Sequence, residues 1–208
     1  MEKFDFLYWM KKYAEDYPRD VDGKFPIYID EQGHEHEERS PYFETISKVF
    51  QRRGHLLRQE FVSIGIWKTE RQTKRYKNNS EEDVESITKK AMAASDRDKV
   101  SILLDLEGVG VPVASSVLTM TNPKEYCIID YRTQRALLWL KKVAGNCCIA
   151  FVSYGEYSDF LDSCDAYGTV RAYYDFRDDV KKIGMKKQMT PRQVEMALWK
   201  FDEMKGER

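Results

Sequence analysis

Apolar residues recur along this chain at helical spacing. Phe4, Leu7, Tyr8, Met10 and Tyr13 form one stripe, and Tyr17-Pro18 closes the helix they predict. Ser40-Pro41 places a cap and a first-turn proline before YFETISKVFQRR, and Gly54 stands where a helix terminates. One or two helices are expected over His55 to Tyr76, and Ser80-Glu-Glu-Asp caps another through VESITKKAMAA. Further helices are predicted over 97–106, 111–121, 131–142, within 154–165 and over 169–183. A last one starts at Thr190-Pro191 and runs to Met204. The strand-like exception is Phe25 to Ile29, followed by the acidic turn DEQGHEHEE.

The pattern predicts an all-α protein: one helical domain over 1–208, built as two packed halves with a small β-like insertion near the N-terminus. Segments 1–60 and 150–208 are expected to pack together as one half, with Tyr173, Tyr174 and Trp199 joining the N- and C-terminal helices. No repeat or long Gly/Ser linker divides the chain.

Composition changes the picture in two places. A net charge of −1 argues against a polyanionic partner, yet residues 1–48 carry 12 acidic and 7 basic side chains while 49–80 carry 8 basic and 2 acidic. A near-neutral sum therefore hides a basic block, which reads either as a phosphate-attracting surface or as a solvated helix face. Cys127, Cys147, Cys148 and Cys164 lack CxxC spacing, so reduced thiols are expected rather than a zinc or cluster site. His34 and His36 in GHEHEE imitate metal ligands, but on a polar turn they are read as surface residues. With no membrane span and no signal-like start, a cytoplasmic, monomeric protein is expected.

Candidate chemistry gathers in LEGVGVPVASSVLTMTNPKEYCIID, residues 106–130. Leu103, Leu104 and Leu106 end one helix, and Val113, Val117 and Leu118 begin the apolar face of the next. The tight reversal between them calls on Gly108 and Gly110, and its outward N–H groups at a helix start suit an anion. Asp130 follows the apolar run Cys127-Ile-Ile and precedes YRTQRALLWL, where it serves as an N-cap or as a functional carboxylate.

L-E-G-V-G-V-P-V-A-S-S-V-L resembles the helix-hairpin-helix of the endonuclease III and adenine-glycosylase superfamily, where L-P-G-V-G-x-x-T-A is usual. The likeness extends over 97–140: an apolar run, an aspartate at the same spacing, and a basic residue a turn beyond, here Asp130 and Arg135. Glu107 replaces the common proline, and Pro112 stands where bifunctional members carry a lysine. The middle region is shorter than in endonuclease III, and the C-terminal cysteine cluster of some members is missing. The resemblance implies a DNA base-excision glycosylase that flips a modified base from duplex DNA. Asp130 would be catalytic; Gly108, Val109, Gly110, Val111, Arg132 and Arg135 would contact DNA, although Arg135 could equally pair with an acidic neighbour; Trp67, Lys68 and Tyr131 would line the base pocket, Trp67 and Tyr131 being equally suited to the core. With proline at position 112, monofunctional hydrolysis is expected, Lys68 being the reserve nucleophile. No metal or other cofactor is expected, although the hairpin carbonyls leave room for a monovalent cation when DNA is bound. The rival readings are a non-catalytic DNA-binding hairpin and a helical interaction protein in which Gly-Val-Gly is only a tight turn.

Overall fold

The structure is a computed structural model that describes residues 4–17, 28–29, 35–36, 42–144, 159 and 166–206. It is helical: α1 (Phe6–Asp16), α2 (Tyr42–Arg53), α3 (Arg58–Lys68), α4 (Thr73–Asn78), α5 (Glu81–Ala93), α6 (Lys99–Leu103), α7 (Val111–Thr121), α8 (Tyr131–Val143), α9 (Val170–Lys187) and α10 (Pro191–Gly206). A two-residue antiparallel pair, β1 (Tyr28–Ile29) with β2 (Glu35–His36), follows α1, with Tyr28 opposite His36. The expected cap at Ser40-Pro41, the helix within 154–165, His34, and Cys147, Cys148 and Cys164 lie outside the described residues.

Local chemistry accounts for the helix ends. Asp5 caps α1 by accepting from the Tyr8 amide at 3.0 Å, and Ser80 caps α5 by accepting from the Asp83 amide at 3.0 Å. Thr190 and Gln193 exchange hydrogen bonds in a capping box at the start of α10. Gly54 closes α2 at φ +82°, the left-handed conformation that ends helices.

Helix α7 is the axis of one half. Val111, Val113, Ala114, Val117, Leu118 and Met120 are buried, and α2, α3 and α6 pack around them. Its buried hydroxyls are turned onto their own helix: Ser115 and Ser116 donate to the Pro112 carbonyl at 2.8 and 2.9 Å, and Thr119 donates to Ser115. Back-bonding of this kind removes the cost of burying an unpaired hydroxyl. The other half joins α1, α8, α9 and α10. Trp199 lies edge-on to Tyr13 and Tyr17 at 5.6 and 5.1 Å, and Phe201 packs against Trp9 and Trp139.

Two packing expectations are corrected here. The N-terminal segment does not move as one block: α1 packs on α10, but α2 packs on α7 in the opposite half. Trp199 does join α1, whereas Tyr174 turns elsewhere, donating to the Asp96 carbonyl at 2.6 Å and accepting from the Val100 amide. Two backbone partners at and just before the start of α6 outcompete a generic apolar contact for that phenol.

Candidate functional site

The turn between α6 and α7 is built on a tyrosine ring. Gly108 has φ +85°, and a Cβ there would lie 2.8 Å from the Arg75 Cβ and 3.0 Å from the Tyr76 ring. Across the ring, a Cβ on Gly65 would lie 2.7 Å from it. Tyr76 is wholly buried and edge-on to Phe61 at 6.0 Å. Two glycines thus clamp one aromatic plate and dock the hairpin onto α3 and α4. Asn79 fastens the turn further, its amide accepting from the Glu107 N–H at 2.8 Å and donating to the Glu107 carbonyl at 3.1 Å.

Successive short turns lead into α7. The amides of Asp105, Leu106 and Val109 bond to the carbonyls of Ile102, Leu103 and Leu106 at 3.2–3.3 Å. The Val109 N–H is therefore spent inside the hairpin. Gly110 is the extended N-cap of α7. The α-helical ladder supplies no acceptor to first-turn amides, so Val111 and Val113 keep theirs available while Pro112 has none to offer. The Val111 side chain itself is buried, leaving only its backbone for contact.

A flank of charge lies beside this turn. Arg71, Lys74, Arg75 and Lys77 are exposed and make no ion pair with described residues. Other members of the basic block have structural duties: Arg53 pairs with buried Glu60, and Arg58 donates to the Asn79 carbonyl at 2.8 Å and to the Lys77 carbonyl.

Asp130 is tied to the same region. The extended segment Tyr126–Ile129 is buried, and the Ile129 amide donates to Ser115 Oγ at 3.2 Å, one turn into α7. The chain then enters α8 with Asp130 as N-cap. Oδ1 accepts from the Thr133 amide at 3.0 Å, and the Asp130 amide donates to Thr133 Oγ1 at 2.9 Å. Oδ2 accepts from Lys68 Nζ at 2.6 Å, an ion pair whose side chains are 19% and 14% exposed. The carboxylate is shielded but not sealed. Burial opposes its ionisation, yet the charge and hydrogen bond of Lys68 and the bonds from Thr133 outweigh burial and hold its pKa below the ordinary value.

The predicted site residues divide accordingly. Lys68 and Asp130 meet, with Trp67 half-buried beside Lys68. Tyr131 is engaged locally, its hydroxyl accepting from Arg135 Nη1 at 2.8 Å and its ring edge-on to Tyr167. Arg135 is buried in a two-pronged salt bridge with Asp202, so of its two readings the structure shows the pairing with an acidic residue. Arg132, 39% exposed, lies 3.7 Å from Asp202 and over the Trp199 ring. Among these arginines it is the one with an open guanidinium.

The sequence reading missed Glu195. It is buried, paired with Arg192, and Arg192 also reaches the Tyr13 hydroxyl at 3.2 Å. Burial pushes its carboxyl up, Arg192 counters, and the charges of Asp130 and Lys68 both act on it. Helix α10 therefore supplies a second carboxylate to the field around Asp130. Its only sequence signal was the i, i+3 spacing of Arg192 and Glu195.

No group of three or more His, Cys, Asp or Glu side chains arranged to hold a metal occurs among the described residues. No helix among them is long and apolar enough to cross a membrane. No known family, no curated protein and no solved structure matches this chain.

Proposed function

We propose that this protein is a DNA N-glycosylase acting on a modified base rotated out of duplex DNA, with Asp130 as its catalytic carboxylate. The observation that carries the reading is a shielded, ionised Asp130 anchored through Ile129 and Ser115 to a glycine hairpin flanked by exposed basic residues. In this reading the hairpin amides and the Arg71–Lys77 flank hold the sugar-phosphate backbone, which positions without reading sequence. Extrusion brings the sugar to Asp130. As the C1′–N bond breaks, its electrons leave with the base and positive charge grows on the sugar. The carboxylate stabilises that charge and orients the water that adds to C1′. Pro112 carries no amine, so water is the nucleophile and an intact abasic site is the product.

The test is incubation with duplexes bearing a panel of modified bases, followed by alkali. Strand cleavage only after alkali, lost in Asp130→Asn while duplex binding persists, supports the proposal. Salt-sensitive binding without abasic sites across the panel would leave a non-catalytic DNA-binding hairpin.

A second reading has one observation in its favour, the 2.6 Å contact between Lys68 and Asp130. Were Lys68 to pass a proton to Asp130, its nitrogen would be free to attack C1′ and form a Schiff base. Borohydride would then trap a covalent protein–DNA adduct that Lys68→Met cannot form, and strands would break without alkali.

A further inference from the structure

A cleft of about 1250 Å³ opens at the end of α8 remote from Asp130, between α1, α8, α9 and α10. Six rings line it: Phe4, Phe6, Tyr8, Trp9, Trp139 and Phe201. Each ring packs on a neighbour: Phe4 edge-on to Phe201 and Tyr8 edge-on to Trp9, both at 5.0 Å, with Trp139 tilted on Phe201 and Phe6 tilted on Phe4. Tyr8 is 49% exposed, and Trp9 and Trp139 are partly open. Small-molecule sites typically measure about 300–1,000 Å³, so this space suits a stretch of chain better than a single small compound.

Charge narrows the occupant. Five lysines line the cleft, Lys141, Lys182, Lys186, Lys187 and Lys205, against Asp5 and Asp179. Asp5 is occupied as the cap of α1, and Asp179 is shared by Lys141 and Lys182. Lys186, Lys187 and Lys205 are exposed and form no ion pair with described residues. A second copy docked on the same face would set lysine against lysine across the two-fold axis.

We propose that the cleft binds single-stranded polynucleotide, its bases stacking on the Tyr8, Trp9 and Trp139 rings and its phosphates meeting Lys186, Lys187 and Lys205. Stacking needs exposed base faces, which a duplex hides, and it tolerates any sequence. This site does not depend on the glycosylase reading, because the cleft and Asp130 sit at opposite ends of α8.

The experiment is titration of the full chain with oligo(dT), followed by tryptophan fluorescence and repeated at several salt concentrations. Quenching that saturates supports the proposal. The combined Lys186→Gln, Lys187→Gln, Lys205→Gln variant is expected to bind about tenfold or more weakly, with a log–log salt slope shallower by about two units. Tyr8→Ala, at a half-exposed ring, weakens binding without unfolding the chain, and Asp130→Asn leaves it unchanged. Absence of quenching at low salt, or affinity indifferent to the three lysines, overturns the proposal. So does stronger quenching by anionic vesicles or by an acidic amphipathic peptide than by the oligonucleotide.

Discussion

Replacing Gly108 with alanine tests the hairpin as a piece of mechanics, before any question of ligand. At φ +85° an L-residue clashes with its own backbone, at about 1–2 kcal/mol. The new Cβ would also meet the Arg75 Cβ at 2.8 Å and the Tyr76 ring at 3.0 Å. The ring has nowhere to retreat, since the Gly65 side of it is as tightly filled. Overpacking of this kind costs about 1–3 kcal/mol, so the total is about 2–5 kcal/mol for Gly108→Ala. Folded proteins hold only about 5–15 kcal/mol. For a chain of this size, each kcal/mol moves Tm by about 2–4 °C.

Gly110→Ala is the control. Gly110 has φ −101°, and its nearest neighbour would be the Pro112 Cδ at 3.8 Å, an ordinary contact. Its stability should stay within about 0.5 kcal/mol of wild type, while the added methyl stands in the notch offered to the phosphate backbone and weakens duplex binding. Urea denaturation monitored by circular dichroism, paired with a duplex-binding isotherm, reads both effects. Equal stability for the two variants would refute the packing argument. A stable Gly110→Ala protein with undiminished DNA affinity would refute the notch.

Other outcomes follow from named contacts. Asp130 has its carboxyl held low in the folded state, so its contribution is fully present above the unfolded carboxylate pKa and is lost as pH falls through the lower folded value. Lys68→Met should therefore be less stable than wild type near neutral pH, with the gap closing as pH falls through the carboxylate range, and equal stability near neutral pH would discard the ion pair as a stabilising feature. The Tyr76 hydroxyl is buried without a hydrogen-bond partner, so Tyr76→Phe should be neutral or stabilising by up to about 1 kcal/mol in thermal denaturation. Asp202→Ala strands the buried Arg135 and should cost about 3–5 kcal/mol, with much of the loss recovered in the Asp202→Leu, Arg135→Met double variant. A mild single-variant effect would return Arg135 to the list of available phosphate contacts.

How far the sequence carried these conclusions depended on the range of the interaction. Caps, the glycine turn and the α7 stripe were legible, because each rests on residues a few positions apart. Asp130 as a cap was legible for the same reason. The helix expected over 97–106 is shorter, Lys99–Leu103, because consecutive i→i+3 turns take over as the chain bends toward Gly108. Arg135 stayed open between a phosphate and an acidic partner, because that partner, Asp202, lies 67 positions away and nothing local announces it. Lys68 was noticed for sitting beside Trp67, but its contact with Asp130 spans 62 positions. Glu195 escaped notice because burial of a carboxylate is a property of packing, not of spacing.

The Lys68–Asp130 contact also constrains the chemistry. A carboxylate that is to stabilise a developing cation on a sugar works through its net negative field, and an ammonium 2.6 Å away cancels most of that field at a distance. Oδ1 is committed to the Thr133 amide as well, so the resting site is close to neutral and already hydrogen-bonded. Under the proposed glycosylase reading, two routes would restore its usefulness. In one, the long lysine side chain swings onto a DNA phosphate when the duplex docks, uncovering Asp130 only once substrate is present. In the other, the proton moves from nitrogen to carboxylate and the amine becomes the reactive group. The routes predict different behaviour for Lys68→Met: an unmasked carboxylate should preserve hydrolysis with its pH limb displaced upward, since burial then meets less opposition, whereas a lost nucleophile should end the reaction at every pH. On the glycosylase reading, the same ion pair that keeps Asp130 charged would also mask it, and the behaviour of Lys68→Met tells which route separates the pair.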